Sequence, residues 1–349
     1  MKKKVLIVDD SAVMRKVLQT ILSSDPELEV VGAAPDPLIA REKILRLAPD
    51  VLTLDVEMPK MDGLTFLEKL MRAHPMPVVM VSSLTERGCA TTLRALELGA
   101  VDFVSKPKLD VAAGINDLAA EIVTKVKSAA SAKLRPPLAT RPTPATPSTT
   151  VTQPIANATH KIIAIGASTG GTEALKTVLA QMPSDSPGIV IVQHMPEQFT
   201  KAFAERLDCL TRLSVSEARD GDRVLPGHAL LAPGNQHMEV LRSGAEYRVR
   251  VASFERVNHH RPSVDVLFQS CARHLGANVV GVILTGMGND GAAGMAAMAR
   301  AGAYNISQDE ATCVVFGMPK EAIAAGGVHE VVPLDRIPAA ILKRIRTIR

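Results

Sequence analysis

The sequence predicts an α/β chain of two units, each built on a parallel sheet. Three observations predict it. Short apolar runs alternate with helix-spaced segments from residue 4 to about 127. A proline- and threonine-rich stretch, Leu134 to Thr159, breaks that alternation. Beyond it the strand and helix patterns resume, with glycine-rich turns where strands end. Alternating strands and helices imply parallel pairing, because joining parallel strands needs a crossover that a helix supplies.

Val5–Val8 is an apolar strand and Ala12–Leu22 has helical spacing. Val30–Ala34, Val51–Leu54, Val78–Val81 and Asp102–Val104 are further short strands, and stretches such as Leu64–Arg72 and Thr91–Leu98 read as helices between them. Ile115–Ala130 is the last helix. Five strands and five helices predict a doubly wound first domain over 1–127. Residues 128–159 read as a semi-extended linker: Pro136, Pro137, Pro142, Pro144, Pro147 and Pro154 sit among Thr, Ala and Ser with no hydrophobic period. The second domain, 160–349, holds the strands Ile162–Ile165, Gly188–Gln193 and Asn278–Thr285.

At 349 residues the chain can bury two cores. Hydrophobic content of 46% and charge of 22% are ordinary for soluble globular protein. A net charge of +4, scattered lysines and arginines, 3% aromatics and no tryptophan argue against a stacking platform for nucleic acid. The four cysteines have no metal or redox spacing and fit a reduced, cytoplasmic protein. The amino terminus lacks the apolar run of a signal peptide, and no run approaches the ~18 apolar residues of a membrane span.

Asp9 and Asp10 follow the first strand, Asp55 the third, Ser82 the fourth, and Lys106-Pro107 the fifth. All then gather at the carboxyl edge of one sheet. Three carboxylates there attract a hard cation such as Mg²⁺. One carboxylate can attack a phosphoryl donor while the metal and Lys106 balance the developing charge. A single aspartate after a strand is more often a helix cap, but Asp9, Asp10, Asp55, Ser82 and Lys106 together, each at its expected place, are not. Residues 4–127 resemble a response-regulator receiver domain. The resemblance implies Asp55 as phospho-acceptor, Mg²⁺ held by Asp9, Asp10, Asp55 and the carbonyl of Glu57, a switch pair of Ser82 and Phe103, and Lys106 on the phosphoryl group. Ser82 stands where many receivers carry threonine, and Phe103 where many carry tyrosine. Without a hydroxyl, Phe103 can only switch by repacking.

In the second domain, Gly166-Ala167-Ser168-Thr169-Gly170 turns sharply from strand to helix, the arrangement of a nucleophile elbow. Strand 188–193 runs into His194, and strand 278–285 into Gly286-Met287-Gly288-Asn289-Asp290. Parallel strands discharge at one edge, so a serine, a histidine and an aspartate converge there. Histidine can take the serine proton, and the carboxylate fixes the imidazole. The chain order Ser, His, Asp disfavours the common α/β-hydrolase fold, in which the acid precedes the histidine.

Two other classes fit less well. A dinucleotide turn at GASTGG expects an acidic residue at the end of the next strand, which instead ends in Gln193-His194. Neither Tyr247 nor Tyr304 has a lysine four positions on, so no reductase site is legible. A DNA-binding output domain would be smaller and helical. His259-His260-Arg261 reads as a substrate-edge loop or a solvated turn, without the spaced partners of a metal site. Asp265 reads as a helix residue, and Met287, Met295 and Met298 as packing residues.

The motifs GASTGG, QHMP, HRPSVDVLF and LTGMGNDGAAG closely resemble the catalytic domain of the chemotaxis protein-glutamate methylesterases. With the receiver, the resemblance covers nearly the whole chain. It implies Ser168 as nucleophile, His194 as base and then acid, Asp290 as the orienting carboxylate, and backbone N–H groups near Thr169 and in the Gly286-Met287-Gly288 loop as oxyanion donors. It implies hydrolysis of glutamyl γ-methyl esters, and deamidation of glutamines, on the methylated helices of membrane chemoreceptors, with no cofactor at the esterase site. The pathway's histidine kinase would be the phosphodonor, and the unphosphorylated receiver would cover the esterase site.

The linker offers no hydrophobic face to bury, so it should be protease-sensitive. Limited proteolysis near Pro142 should release a stable 160–349 fragment; if none accumulates, the expected boundary is wrong.

Overall fold

Short, mainly apolar runs such as Val51–Asp55, Ile162–Ala167 and Gly188–Gln193 become strands buried at every residue, as in parallel sheets covered on both faces. In the computed structural model the described residues are all but Met1, 59–60, Leu84, 108–114, 135–159 and 348–349. Most of the expected linker lies outside them. The chain divides into two compact units, Met1–Leu134 and Arg135–Arg349.

The first unit runs β1 (Lys3–Val8), α1 (Ala12–Ser23), β2 (Leu28–Ala34), α2 (Pro37–Leu47), β3 (Val51–Asp55), α3 (Gly63–Ala73), β4 (Val78–Ser82), α4 (Glu86–Glu97), β5 (Asp102–Ser105) and α5 (Ile115–Ala130). The five strands pair in parallel in the order β2-β1-β3-β4-β5. This is the doubly wound order expected, and its direction reverses between β1 and β3, where Asp9 and Asp55 emerge. Capping is done by other residues: Ser11, Asp36, Asp62 and Thr85 accept backbone N–H groups at the starts of α1 to α4. Asp9, Asp10 and Asp55 are thereby left for other work. Residues 128–130, which fall in the expected linker range but also in the expected helix Ile115–Ala130, continue α5, and Ala129 is buried.

The second unit runs β6 (Ile162–Ala167), α6 (Gly171–Leu179), β7 (Gly188–Gln193), α7 (Phe199–Leu210), β8 (Ser214–Glu217), β9 (His228–Leu231), β10 (His237–Ser243), β11 (Glu246–Ala252), α8 (Val264–His274), β12 (Val279–Ile283), α9 (Ala292–Arg300), β13 (Tyr304–Gln308), α10 (Met318–Ala324), β14 (Glu330–Val332) and α11 (Ile337–Thr347). Seven strands form one parallel sheet, β14-β13-β12-β6-β7-β9-β8. The chain builds outward from β6 through β7 to β9 and β8. It then returns to β12 on the other side of β6, which places a crevice at the carboxyl ends of these central strands.

One element departs from the expected all-parallel sheet. β10 and β11 form a separate antiparallel hairpin joined by Gly244-Ala245. Its signal was legible: Tyr247, Val249 and Val251 alternate with Arg248 and Arg250 after a Gly-X turn. Met238, Val240, Tyr247 and Val249 pack with Val264, Leu267, Phe268 and Cys271 of α8 in one core cluster, and Ser270 Oγ accepts Val240 N–H at 2.8 Å.

The strand β6 and the start of α8 approach so closely that only glycine fits. A Cβ on Gly166 would lie 2.3 Å from Val264 Cγ1. Gly166→Ala should therefore cost about 1–3 kcal/mol in urea denaturation, as overpacking does. Val264→Ala should relieve it, so that the double variant is less destabilised than the sum of the singles. Strict additivity would mean that the two sites do not compete for the same space.

Candidate active site

Strand β6 lies between β12 and β7, and backbone bonds extend this pairing past the strand ends. Leu284 N–H donates to Gly166 O at 2.9 Å, Ser168 N–H to Thr285 O at 3.0 Å and His194 N–H to Ala167 O at 3.1 Å. Gln193 Nε2 lies 3.0 Å from Ser168 O and 3.2 Å from His194 O, tying the serine turn to the histidine turn. Nothing in the sequence marks Gln193 beyond its place at a strand end.

His194 and Asp290, far apart in the chain, form a buried pair with Nε2 2.8 Å from Asp290 Oδ2. Val264 N–H donates to the same oxygen at 2.6 Å. Asp290 Oδ1 accepts from Ser263 Oγ at 2.7 Å, Asn258 Nδ2 at 2.8 Å and Asp265 N–H at 3.2 Å. Ser263 is the N-cap of α8 and the next two residues open it, so the carboxylate also sits at the positive end of a helix. Burial alone would raise the Asp290 pKa. The bonds from His194, Asn258 and Ser263 outweigh it and hold the carboxyl well below the usual range. A charged Asp290 requires a proton on Nε2, which makes Nδ1 of the neutral ring an acceptor. That Nδ1 is buried and has no hydrogen-bond partner.

Ser168 is half-buried on the turn after β6. A Cβ on Gly286 would lie 2.7 Å from Ser168 Cβ, so the loop after β12 passes directly against the serine. Gly286 N–H is occupied by Val315 O at 3.1 Å, and Gly286 O accepts from Gly317 N–H at 3.0 Å and Met318 N–H at 2.8 Å. Gly286 itself is thereby removed from the expected oxyanion donors. In a planar trans peptide the next N–H points away from the preceding carbonyl, so anchoring Gly286 O fixes the direction of Met287 N–H. Thr169 is held on the other side, its carbonyl accepting Thr285 Oγ1 at 2.9 Å.

Asp265 does sit in a helix. It accepts Gly294 N–H at 2.6 Å and Asn258 Nδ2 at 2.8 Å, and burial raises its pKa. Met295 and Met298 are fully buried packing residues, and Met287 is half-buried. The sequence does not single out Asn258; it offers Ser263 only within the motif HRPSVDVLF, and His260 only there and in a substrate-edge loop or solvated turn. Ser263 had a legible cap signal, a serine before the apolar run VDVLF. His260 stacks on His194, and no sequence pattern announced that contact.

In the first unit, Asp9, Asp10 and Asp55 each offer a carboxylate oxygen, all within 4.8 Å of one another. Asp9 Oδ1 accepts Ser11 N–H at 2.8 Å, while Oδ2 is buried without a partner. An orphaned carboxylate oxygen beside two more carboxylates fits a hard, oxygen-seeking cation. Burial, and next the charge of Asp55, raises the Asp9 pKa to about 6. Burial also raises that of Asp55, partly offset by Lys106 Nζ at 2.7 Å from Oδ2. Glu57 N–H donates to Asp55 Oδ1 at 3.2 Å. Ser82, on the strand beside β3, has its Oγ 3.4 Å from Gly88 O. Phe103 is buried, with Lys125 Nζ 4.8 Å from its ring centroid.

These features define a class: a receiver domain joined in one chain to a parallel-sheet hydrolase domain carrying serine, histidine and aspartate at adjacent strand ends. Residues 163–341 match the family model for the CheB methylesterase domain, and residues 5–113 that for the response regulator receiver domain. The chain belongs to the CheB methylesterase family. A protein-glutamate methylesterase/protein-glutamine glutaminase of Pseudomonas aeruginosa is 59% identical over 340 residues, covering 97% of this chain and 96% of the relative. One of Salmonella typhimurium, with the same name, is 58% identical over 344 residues, covering 99% and 97%. The crystal structure of the Thermotoga maritima CheB methylesterase catalytic domain aligns with a TM-score of 0.51 and 39% identity, covering 54% of this chain and 98% of that one.

The raised Asp9 pKa gives a stability prediction. Asp9 binds its proton more tightly when folded, at about 6, than at the unperturbed value of 3.8. Its stabilising contribution is therefore complete below about 3.8 and lost as pH rises through about 6. Asp9→Asn should raise the melting temperature of the metal-free first unit at pH 7.5 but not at pH 4. Mg²⁺ should raise the melting temperature of the wild type further, and Asp9→Asn should remove that rise. Calorimetry of the full chain with EDTA or Mg²⁺ measures both; an unchanged metal-free midpoint at pH 7.5 would go against burial as the cause.

Proposed function

We propose that the chain is a phosphorylation-activated serine esterase that hydrolyses glutamyl γ-methyl esters of membrane chemoreceptors, releasing methanol, and that deamidates glutamines at the same kind of site. The observation that carries this reading is the buried His194–Asp290 pair: Nδ1 of His194 is left unpartnered, and the His194 backbone N–H donates to Ala167 O, one residue before Ser168.

Ser168 Oγ attacks the ester carbonyl carbon while His194 Nδ1 takes its proton. Asp290 stabilises the imidazolium through Nε2. The carbonyl oxygen becomes an oxyanion facing the N–H of Met287 and the backbone at Thr169. Collapse breaks the C–OCH₃ bond, His194 protonates the leaving oxygen, and methanol departs. Water then attacks the acyl-serine, His194 taking its proton and returning it to Ser168 Oγ, which leaves a glutamate. With glutamine the leaving group is ammonia and every other step is shared. No cofactor is needed to balance either reaction.

In the receiver, Asp9, Asp10, Asp55 and the Glu57 carbonyl would hold Mg²⁺, which supplies positive charge against phosphoryl oxygens. An Asp55 carboxylate oxygen accepts the phosphoryl group from the chemotaxis histidine kinase or a small donor, and Lys106 moves from Asp55 onto the new charge. Ser82 turns from Gly88 O toward the phosphoryl oxygens, and Phe103 repacks. The unphosphorylated receiver restrains the esterase and phosphorylation releases it. Among the described residues no helix is long and apolar enough to cross a membrane, and the chain acts from the cytoplasm on receptors that do.

Methanol release from methylated receptor membranes tests the reading. Ser168→Ala, His194→Ala and Asp290→Asn should each abolish or sharply reduce it without unfolding the chain, Asp290→Asn least. Triad members act as a unit, so the Ser168→Ala/His194→Ala double should be little worse than Ser168→Ala alone; multiplying losses would sink the triad. Asp55→Asn should stay at the basal rate and ignore acetyl phosphate. The 160–349 fragment should outpace the unphosphorylated full chain, and a slower fragment would replace restraint with direct activation.

A further inference from the structure

The turn Val257–His260 touches both members of the buried His194–Asp290 pair. Val257 N–H donates to His260 O at 3.1 Å and His260 N–H to Val257 O at 2.9 Å. Between them Asn258 and His259 take left-handed φ values of 52° and 66°, which closes the chain into a two-residue reversal. From its tip, Asn258 Nδ2 reaches Asp290 Oδ1 and Asp265 Oδ2, both at 2.8 Å. From its end, the His260 imidazole lies over that of His194, with ring centroids 3.7 Å apart and planes 12° from parallel.

The Nε2–Asp290 bond fixes one atom of the His194 ring but not its plane. The torsion that turns an imidazole is broad, and a ring held at one atom can rock about that bond. Rocking carries Nδ1, on the other side of the ring, away from the serine it must deprotonate. A second flat ring in van der Waals contact with one face opposes that motion. We propose that His260 is a positioning residue: its ring pins the plane of His194 so that Nδ1 stays aimed at Ser168, while Asn258 on the same turn steadies the Asp290 end. The inference rests on the reading of Ser168, His194 and Asp290 as a triad. Pinning asks for a flat ring at position 260, not for a titrating one, and that separates it from a role in proton transfer.

The test is methanol release by the full chain, activated with acetyl phosphate and Mg²⁺, over a range of methylated receptor membrane concentrations. Misaiming the base affects chemistry and not binding, so His260→Ala should lower kcat roughly 10- to 100-fold and leave KM within about twofold. His260→Phe, flat but unable to titrate, should recover most of the kcat. His260→Leu, bulky but not flat, should resemble the alanine variant. Wild-type kcat in His260→Ala overturns the inference, as does a phenylalanine variant no faster than the leucine one. If the alanine variant does not fold, the phenylalanine–leucine comparison decides alone. Ser168→Ala is measured alongside. Should it retain activity, the triad reading itself fails; should it be inactive while His260→Ala matches wild type, only the pinning is lost.

Discussion

The carboxylate of Asp290 holds the second unit's edge together. Five donors reach it from three segments: the end of β7 through His194, the turn before α8 through Asn258, and the first residues of α8 through Ser263, Val264 and Asp265. A buried charge is costly unless its lone pairs are filled. Filling them here requires that the β7 end, the 257–260 turn and the start of α8 all meet at one point. The close approach of Val264 to Gly166 is the packing counterpart of that demand, since it brings α8 onto the strand that leads to Ser168.

The same requirement explains the neighbouring polar residues. Asp265 is a second buried carboxyl beside Asp290, and repulsion between the two is eased by Asn258, which donates to both. Thr285 and the Val315–Met318 segment do the equivalent for the serine side. They occupy Gly286 and Thr169 through hydrogen bonds, so the loop against Ser168 has one orientation. Preorganised dipoles of this kind need no rearrangement when charge develops.

The two units place acidic groups at comparable strand ends and give them opposite character. Asp290 is filled with donors and stays ionised. Asp9 and Asp55 lie together with fewer donors, so burial raises their pKa values and a cation is favoured. Environment rather than residue type sets the character of each carboxylate, and Lys106 on Asp55 is the part of that environment which offsets burial.

Periodicity and turn chemistry are local properties, so the strands, their parallel pairing and the residues at their carboxyl ends were legible from the chain. Asp9, Ser168 and His194 come directly after or within two residues of short apolar runs, Asp55 ends one, and Asp290 lies in the glycine-rich turn beyond another. The β10–β11 hairpin is equally legible, in the alternation after Gly244, although it departs from the expected all-parallel sheet. Other features had no local signal. The neighbours of Asp290 on α8, the occupation of Gly286 N–H by Val315, and the stacking of His260 on His194 each join residues whose spacing carries no period. They arise because a seven-stranded sheet brings β12, β6 and β7 together and packs α8 across them. Which nitrogen of His194 faces Asp290, and which is left unpartnered, follows from that packing alone.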